Sequence, residues 1–132
     1  MDDSEIRRIL KQWLKANATE KGGSIRIFFE KAIVNSIADV LAVTDDGIWG
    51  FEIKRDVDDL RRLKVQIDSY SQICDRCYVV TGESNVENVL NAIPRFCGVI
   101  KVSDSSVEIV KKSIYQPQNN NKVTAKTMAS GT

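Results

Sequence analysis

Three charged residues lie in two hydrophobic segments whose composition is typical of buried strands. Asp39 is in ADVLAVT, and Glu52 and Lys54 are in IWGFEIK, with the hairpin signal DDG between the segments. Burial of an unpaired charge costs several kcal/mol, so these charges need partners. Carboxylates are the ligands that Mg²⁺ and Mn²⁺ prefer, and an amine beside such an ion can position an attacking water. The residue types therefore favour a metal-dependent hydrolytic site.

The register of the hairpin decides whether these charges meet. A two-residue turn at Asp-Gly would place Asp39 across from Lys54. It would also place Leu41 across from Glu52, so that all three charges share one face, with Gly50 leaving the approach beside them open. A three-residue loop would send Asp39 to the other face. The alternative function of the charges is a structural pair between Asp39 and Lys54, with Glu52 in solvent.

Nine predicted elements would position these side chains. Helical spacing of apolar residues predicts helices over residues 3–16, with Ser4 as the N-cap, and over residues 57–73, with Asp56 as the N-cap. A shorter third helix is predicted at SNVENVLNA. Six apolar runs predict strands: IRIFFEKAI, ADVLAVT, IWGFEIK, CYVVT, GVIKV and VEIVK. The order α-β-β-β-α-β-α-β-β predicts an α/β fold.

The composition is that of one globular domain. The chain has 132 residues, of which 42% are hydrophobic and 28% charged, and its net charge is +1. We expect a single domain over residues 1–114. Residues 115–132 have almost no large apolar side chains, so we expect a polar, disordered tail. Neither a membrane span nor a signal-peptide core is present, which predicts a cytoplasmic protein with no membrane association.

The histidine and cysteine content limits the kinds of catalytic and metal sites that the chain can form. The chain has no histidine, which excludes His-dependent nucleophilic triads and HNH-type nucleases. Cys74 and Cys77 form a CxxC motif, but only Cys97 remains as a further thiol ligand, too few for a structural zinc site. We therefore expect three buried, reduced thiols.

The spacing of the charged residues resembles the PD-(D/E)xK nuclease superfamily. Asp39 is followed by twelve intervening residues and then by EIK at the end of a hydrophobic strand. The restriction-endonuclease-like core of that superfamily, α-β-β-β-α-β with a central mixed sheet flanked by helices, matches the predicted element order. The resemblance implies that Asp39 and Glu52 bind Mg²⁺ or Mn²⁺ together with the backbone carbonyl of Ile53. It also implies that Lys54 serves the nucleophilic water.

A further glutamate commonly lies upstream of this motif in the superfamily, as a metal ligand or its support. Glu5 and Glu30 both qualify by residue type, and Glu30 in FFEKA lies nearer in sequence to Asp39. Glu30 is therefore the preferred candidate. The alternative is that Glu30 ends an edge strand in solvent.

The segment QIDSY places Gln66 and Tyr70 four residues apart on one helical face. It resembles the QxxxY motif of the RecB-like branch, in which the glutamine helps to orient the site and the tyrosine contacts nucleic acid. Tyr70 would accordingly touch the substrate or brace Lys54. Similarity to small MmcB-like DNA-repair proteins extends over residues 25–112, through DVLAV, FEIK, DRCYVVTG and IPRFCGVIKV. Without these motifs, Tyr70 would only complete an apolar helical stripe.

The resemblance implies a metal-dependent DNA nuclease acting in DNA repair, recombination or the processing of phage or mobile-element DNA. Arg55, Arg61 and Arg62 follow the motif and are hypothetical contacts to the DNA backbone. Interleaved aspartates pair with part of this charge. The low net charge favours a non-catalytic DNA-binding or partner-binding module on the same fold, or else a homodimer or protein partner that adds basic surface. A structural protein with a polar hairpin face is the third alternative.

Overall fold

The fold of the protein is a single mixed sheet with helices on both faces. The computed structural model describes residues 1–104 and 106–117, so most of the predicted tail, residues 118–132, lies outside the described residues. The helices are α1 (Asp3–Glu20), α2 (Leu63–Ser71) and α3 (Val86–Ala92), and a 3₁₀ turn at Glu83–Asn85 precedes α3. The strands are β1 (Ile25–Ile33), β2 (Ser36–Thr44), β3 (Gly47–Lys54), β4 (Arg76–Thr81), β5 (Gly98–Val102) and β6 (Val107–Lys111). This order confirms the predicted α/β fold.

The six strands lie in the sheet in the same order as in the chain. β1, β2 and β3 are antiparallel neighbours, β3, β4 and β5 are parallel, and β6 returns antiparallel to β5. Parallel neighbours require a crossover, and α2 and α3 follow β3 and β4 in the chain at these two crossovers. The sheet is therefore mixed and compatible with the α-β-β-β-α-β core. No helix formed by residues 1–104 and 106–117 is long and apolar enough to cross a membrane.

Each face of the sheet carries its own hydrophobic layer. On the first face, α1 packs its apolar side chains against alternate residues of β2 and β3, among them Val40 and Phe51. On the second face, α2 packs against the intervening residues, among them Leu41. The alternation of side chains breaks at Asp39, because Ala38 packs in the second layer whereas Val40 packs in the first. Asp39 lies at this break, with its N–H bonded to Tyr70 of α2 and its carboxylate 3.5 Å from Arg7 of α1. Cys74, Cys77 and Cys97 lie buried and unoxidised in this second layer, as predicted.

The turn between β2 and β3 consists of Asp45 and Asp46. Thr44 pairs with Gly47, and the Thr44 hydroxyl accepts from the Asp46 N–H at 3.1 Å and donates to the Gly47 carbonyl at 2.9 Å. Gly47 has a φ of 121°, and a Cβ there would lie 2.2 Å from Asp75 Oδ2. The positive φ and the close approach both require glycine. The prediction of a turn at Asp46 and Gly47 was wrong.

The pairing of the two strands consequently differs from the predicted one by two residues. Leu41 pairs with Gly50 rather than with Glu52. A shift of two residues leaves every side chain on its original face, because the side-chain period of a strand is two. Glu52 and Lys54 therefore keep their predicted face, whereas Asp39 lies at the break in β2, outside this pairing, and the predicted partners within the hairpin were wrong.

Both predicted helix starts required correction. α1 begins at Asp3, and its N-cap is Asp2 rather than Ser4, because the Asp2 carboxylate accepts from the Glu5 N–H at 2.8 Å. α2 begins at Leu63 rather than near residue 57. The preceding segment has side chains that bind the backbone and compete with the helix: Asp58 Oδ2 accepts from the Arg55 N–H at 2.7 Å, and Asp59 Oδ1 accepts from the Arg61 N–H at 2.8 Å.

Candidate metal centre

The carboxyl groups of Asp39 and Glu52 come together between the neighbouring strands β2 and β3, at the break in β2. Asp39 Oδ2 accepts a hydrogen bond from the Ile53 N–H at 2.8 Å, which holds the β2 carboxylate against β3. The two carboxyl groups are close enough for a protonated Glu52 to donate a hydrogen bond to Asp39. The two acidic residues implied by the sequence motif thus form one cluster, called the carboxylate pair below.

Burial gives Glu52 an unusual proton affinity. The residue is 4% exposed, and this desolvation raises its pKa to about 7, with the negative charge of Asp39 acting in the same direction. A hydrogen bond from Tyr70 and the charge of Lys54 oppose the increase. Burial also raises the pKa of Asp39, against the opposing effects of the Ile53 N–H and of Arg7. Burial therefore favours the protonated form of both carboxyl groups.

Lys54 is the nearest cation to Glu52 on β3. Its Nζ lies 3.7 Å from Glu52 Oε2, and the residue is 8% exposed. The Thr81 hydroxyl donates a 2.6 Å hydrogen bond to the Lys54 carbonyl, which fixes the end of β3 to β4. The buried end of β3, fixed to β4, thus holds the Lys54 amine beside the carboxylate pair.

Tyr70 braces the carboxylate pair from α2. Its side chain is fully buried, and its hydroxyl lies 2.8 Å from Glu52 Oε1 and 3.1 Å from the Phe51 carbonyl, two alternative acceptors. The same hydroxyl accepts from the Asp39 N–H at 2.8 Å. Burial raises the pKa of Tyr70 far above its usual range, so the hydroxyl stays protonated. The ring is buried and its hydroxyl braces Glu52 rather than Lys54, whereas contact of Tyr70 with substrate stays a prediction.

Gly50 provides the space that this tyrosine occupies. A Cβ at position 50 would lie 2.3 Å from Tyr70 Cδ1 and 2.8 Å from Cys74 Sγ. The expectation that Gly50 leaves an open approach for substrate was therefore wrong, since α2 fills that space. The absence of a side chain at this position lets Tyr70 reach across β3 to Glu52.

Gln66 lies one helical turn before Tyr70 on the same face of α2. Its amide Oε1 is buried and has no hydrogen-bond partner among the described residues. A buried acceptor without a donor is costly, so it is available to a cation or to a hydrogen-bond donor of a ligand. The orienting role that the QxxxY resemblance implies for Gln66 stays a prediction.

Arg7 of α1 is a neighbour of the carboxylate pair that the sequence did not reveal. Its side chain is only 18% exposed. Its Nη2 lies 3.5 Å from Asp39 Oδ1 and 3.6 Å from Glu30 Oε1, and it also pairs with Asp3. Its Nη1 donates to the Asp39 carbonyl at 3.4 Å. No motif signals this contact, which depends on how α1 crosses the sheet.

Glu30 approaches the site only through Arg7. It lies on β1 between residues that pair with either side of Asp39, has a φ of 52°, and its side chain is 71% exposed. The structure therefore does not bring Glu30 to the carboxylate pair as a third ligand. Within residues 1–104 and 106–117, no three Asp, Glu, Cys or His side chains group in a way that could hold a metal ion.

The three arginines expected at the DNA backbone lie around the start of α2. Arg61 is highly exposed and pairs with Asp59 at 2.7 Å, and Arg62 is the N-cap residue of α2. Arg55 is half-buried. The pairing of Arg61 with Asp59 offsets part of the local positive charge. Asp59 lies two residues before Arg61 and not one helical turn away. Contacts of these residues with DNA stay a prediction.

Comparison with known proteins identifies the family. The sequence matches the bacteriophage P4 protein cII family over residues 3–131. The chain belongs to this family. The family found is thus P4 protein cII rather than the MmcB-like proteins or the PD-(D/E)xK superfamily that the sequence motifs resemble. No curated protein matches the sequence.

The fold of this P4 cII family member is similar to that of a solved structure, the SPO1766 protein of unknown function from Silicibacter pomeroyi. The TM-score is 0.63 at 20% sequence identity, with 81% of this chain and 73% of that chain covered. At such identity the similarity shows the fold alone. It supports the mixed α/β architecture and does not bear on activity.

The donor atoms of this P4 cII family member fit a hard divalent cation. Asp39 and Glu52 supply two carboxyl groups whose pKa values are raised chiefly by burial. Mg²⁺ is commonly bound by one or two carboxylates, with waters and substrate phosphates completing the coordination. A carboxylate pair without a third acidic ligand is compatible with that pattern.

Proposed function

We propose that this protein is a Mg²⁺- or Mn²⁺-dependent nuclease that hydrolyses phosphodiester bonds in DNA, on a fold of the PD-(D/E)xK type. The observation that carries the proposal is the cluster of Asp39, Glu52 and Lys54 on the neighbouring strands β2 and β3. The spacing of the three residues and the buried Tyr70 brace add support. Membership in a bacteriophage protein family favours the processing of phage or mobile-element DNA among the expected pathways.

Each residue of the cluster has a distinct role in the proposed reaction. Asp39 and Glu52 hold the cation, with the Ile53 carbonyl as a further oxygen donor. When bound, the cation polarises the scissile phosphate and makes a bound water more acidic. Lys54, 3.7 Å from Glu52, positions the attacking water and stabilises the negative charge that develops on the phosphoryl oxygens. Tyr70 keeps Glu52 oriented through its hydroxyl.

Cleavage assays on single-stranded, linear duplex and supercoiled DNA test this proposal. We expect the wild type to cleave with Mg²⁺ or Mn²⁺ and to stop in EDTA. Asp39→Asn and Lys54→Met should each lower the rate at least about 100-fold, because each removes an electrostatic contribution to the transition state. The matched controls Asp46→Asn and Lys112→Met change the same residue types at exposed positions and should cleave normally.

Circular dichroism spectra of the variants will show whether the fold is intact. Cleavage by folded Asp39→Asn or Lys54→Met at the wild-type rate would exclude the proposed centre. Loss of cleavage in the two control variants as well would contradict the residue assignment.

The second candidate function is a non-catalytic nucleic-acid-binding or partner-binding module. The low exposure of Glu52 and Lys54, 4% and 8%, favours it, because a phosphodiester must reach these groups to be cut. Titration calorimetry with Mg²⁺ and Mn²⁺ discriminates between the two candidates. The nuclease must bind the cation through Asp39 and Glu52, whereas the module has no need of it.

A further inference from the structure

A furrow with basic walls runs between α1 and β1, the edge strand of the sheet. Two adjoining clefts share Lys11, one reaching Lys15 and Arg26, and the other reaching Arg7 and Arg8. We call this surface the basic furrow. Residues 7, 11 and 15 succeed one another at four-residue spacing and thus lie along one face of α1.

The charge of the basic furrow is poorly neutralised by the protein itself. Its acidic neighbours are Asp3 and Glu30, and both of them pair with Arg7. In the part of the chain that the structure describes, the ion pairs do not include Arg8, Lys11 or Lys15. This surface therefore attracts an anionic polymer even though the net charge of the chain is +1.

An aromatic ring lies within this basic surface. Phe29 is 37% exposed, and the Arg7 guanidinium and the Lys11 ammonium lie 5.9 Å and 5.8 Å from its centroid. An exposed ring flanked by cations is the combination with which proteins bind single-stranded nucleic acid: the ring stacks on an unpaired base and the cations contact phosphates. A base within an intact duplex has no face available for such stacking.

The basic furrow leads to the carboxylate pair. Arg7 lines the furrow and also contacts Asp39 at 3.5 Å. Eight residues separate Arg7 from Lys15, about 12 Å along a helix that rises 1.5 Å per residue. One nucleic-acid strand presents roughly three phosphates over that distance in B-form geometry. The length and the charge thus match a short stretch of a single strand.

We infer that the basic furrow binds a single nucleic-acid strand, with phosphates on Arg8, Lys11 and Lys15 and a base against Phe29, and directs it to the carboxylate pair. This inference rests on the proposed nuclease function for the fate of the strand, but the binding itself does not require cleavage. It assigns substrate contact to α1 and β1 rather than to the arginines that follow β3. It also specifies single-stranded nucleic acid as the preferred form.

The inference is tested by fluorescence anisotropy in EDTA, with a labelled oligothymidylate of about 20 nucleotides and with a duplex of the same length. The wild type should bind the single strand more tightly than the duplex. The double variant Lys11→Glu/Lys15→Glu should weaken single-strand binding at least tenfold and reduce the slope of its salt dependence by about 1.4, because two phosphate contacts are lost. The control Lys64→Glu/Lys112→Glu makes the same charge change on exposed residues elsewhere and should bind normally.

Phe29→Ala separates stacking from charge. It should weaken binding of the oligothymidylate about tenfold and leave duplex binding unchanged. Unchanged single-strand binding by folded Lys11→Glu/Lys15→Glu would overturn the inference, and so would an equal loss in the control variant. If Lys11→Glu/Lys15→Glu bound the single strand and cleaved DNA as well as the wild type does, the role of the furrow would be overturned and the nuclease function retained. If single-strand binding depended on the furrow residues but the wild type did not cleave DNA, the role of the furrow would be retained and the nuclease function excluded.

Discussion

The Tyr70 hydroxyl lies 2.8 Å from Glu52 Oε1 and accepts the Asp39 N–H at the same distance. A single side chain of α2 thus holds the acidic residues of β2 and β3 in one arrangement. The protein compensates the buried Glu52 only in part, since its pKa remains raised. The neutral hydroxyl of Tyr70, rather than an ion pair that fully compensates Glu52, therefore orients the acidic residues.

Removal of this hydroxyl should destabilise the protein. In Tyr70→Phe, the Asp39 N–H and Glu52 Oε1 lose a shared partner, and we expect the free energy of unfolding to fall by about 1–3 kcal/mol. Urea titration monitored by circular dichroism measures the change. Tyr115→Phe, at a 43% exposed position, serves as the control and should be neutral. Equal stability of both variants would show that the hydroxyl network contributes nothing.

The stability of the metal-free protein should depend on pH through Glu52. Its pKa is about 7 in the folded state against 4.5 for the ordinary group, so the folded state binds the proton more tightly between these values. The stabilisation is complete below pH 4.5 and is lost as the pH rises through 7, with a size on the order of 3 kcal/mol. Urea titrations in EDTA between these limits should show this loss. Glu52→Gln should remove it, and an unchanged pH profile in that variant would contradict the assignment.

The close contact between Gly50 and Tyr70 should make even a methyl group costly. Gly50→Ala places a Cβ 2.3 Å from the ring, so either the ring or β3 must shift, at a cost of about 1–3 kcal/mol in unfolding free energy. Gly82→Ala is the control, because its Cβ would lie 3.8 Å from Asp56 Oδ1, an ordinary contact. Thermal unfolding of the two variants should differ clearly, and a neutral Gly50→Ala would mean that α2 does not pack as described.

Divalent cations should stabilise the folded protein if the carboxylate pair binds them. At pH 8, Mg²⁺ at about 100 times its dissociation constant should add about 2.7 kcal/mol to the unfolding free energy. Asp39→Asn and Glu52→Gln should lose this increment, whereas Asp46→Asn, in the exposed turn, should retain it. A wild-type protein whose melting temperature does not respond to Mg²⁺ or Mn²⁺ would exclude the metal centre.

The fold and the composition of the acidic cluster were predictable because they depend on local periodicity. Apolar alternation defined β2 and β3, and since side-chain faces repeat every two residues, the two-residue error in register left Glu52 and Lys54 on their predicted face. The break in alternation at Asp39 was not predictable from the same periodicity. The helix start at Leu63 was not predictable by periodicity, because Asp58 and Asp59 bind nearby backbone groups instead. The contact of Arg7 with Asp39 was equally hidden, since it depends on the tertiary packing of α1.

The three buried thiols offer a way to observe motion of α2 without any substitution in the chain. Cys74, Cys77 and Cys97 lie in the hydrophobic layer beneath that helix, and burial raises the pKa of Cys74 and Cys97, which suppresses the reactive thiolate. A thiol reagent can modify them only when the layer opens. The rate of their modification under native conditions therefore measures how often Tyr70 leaves the acidic residues, and a ligand that engages those residues should slow it.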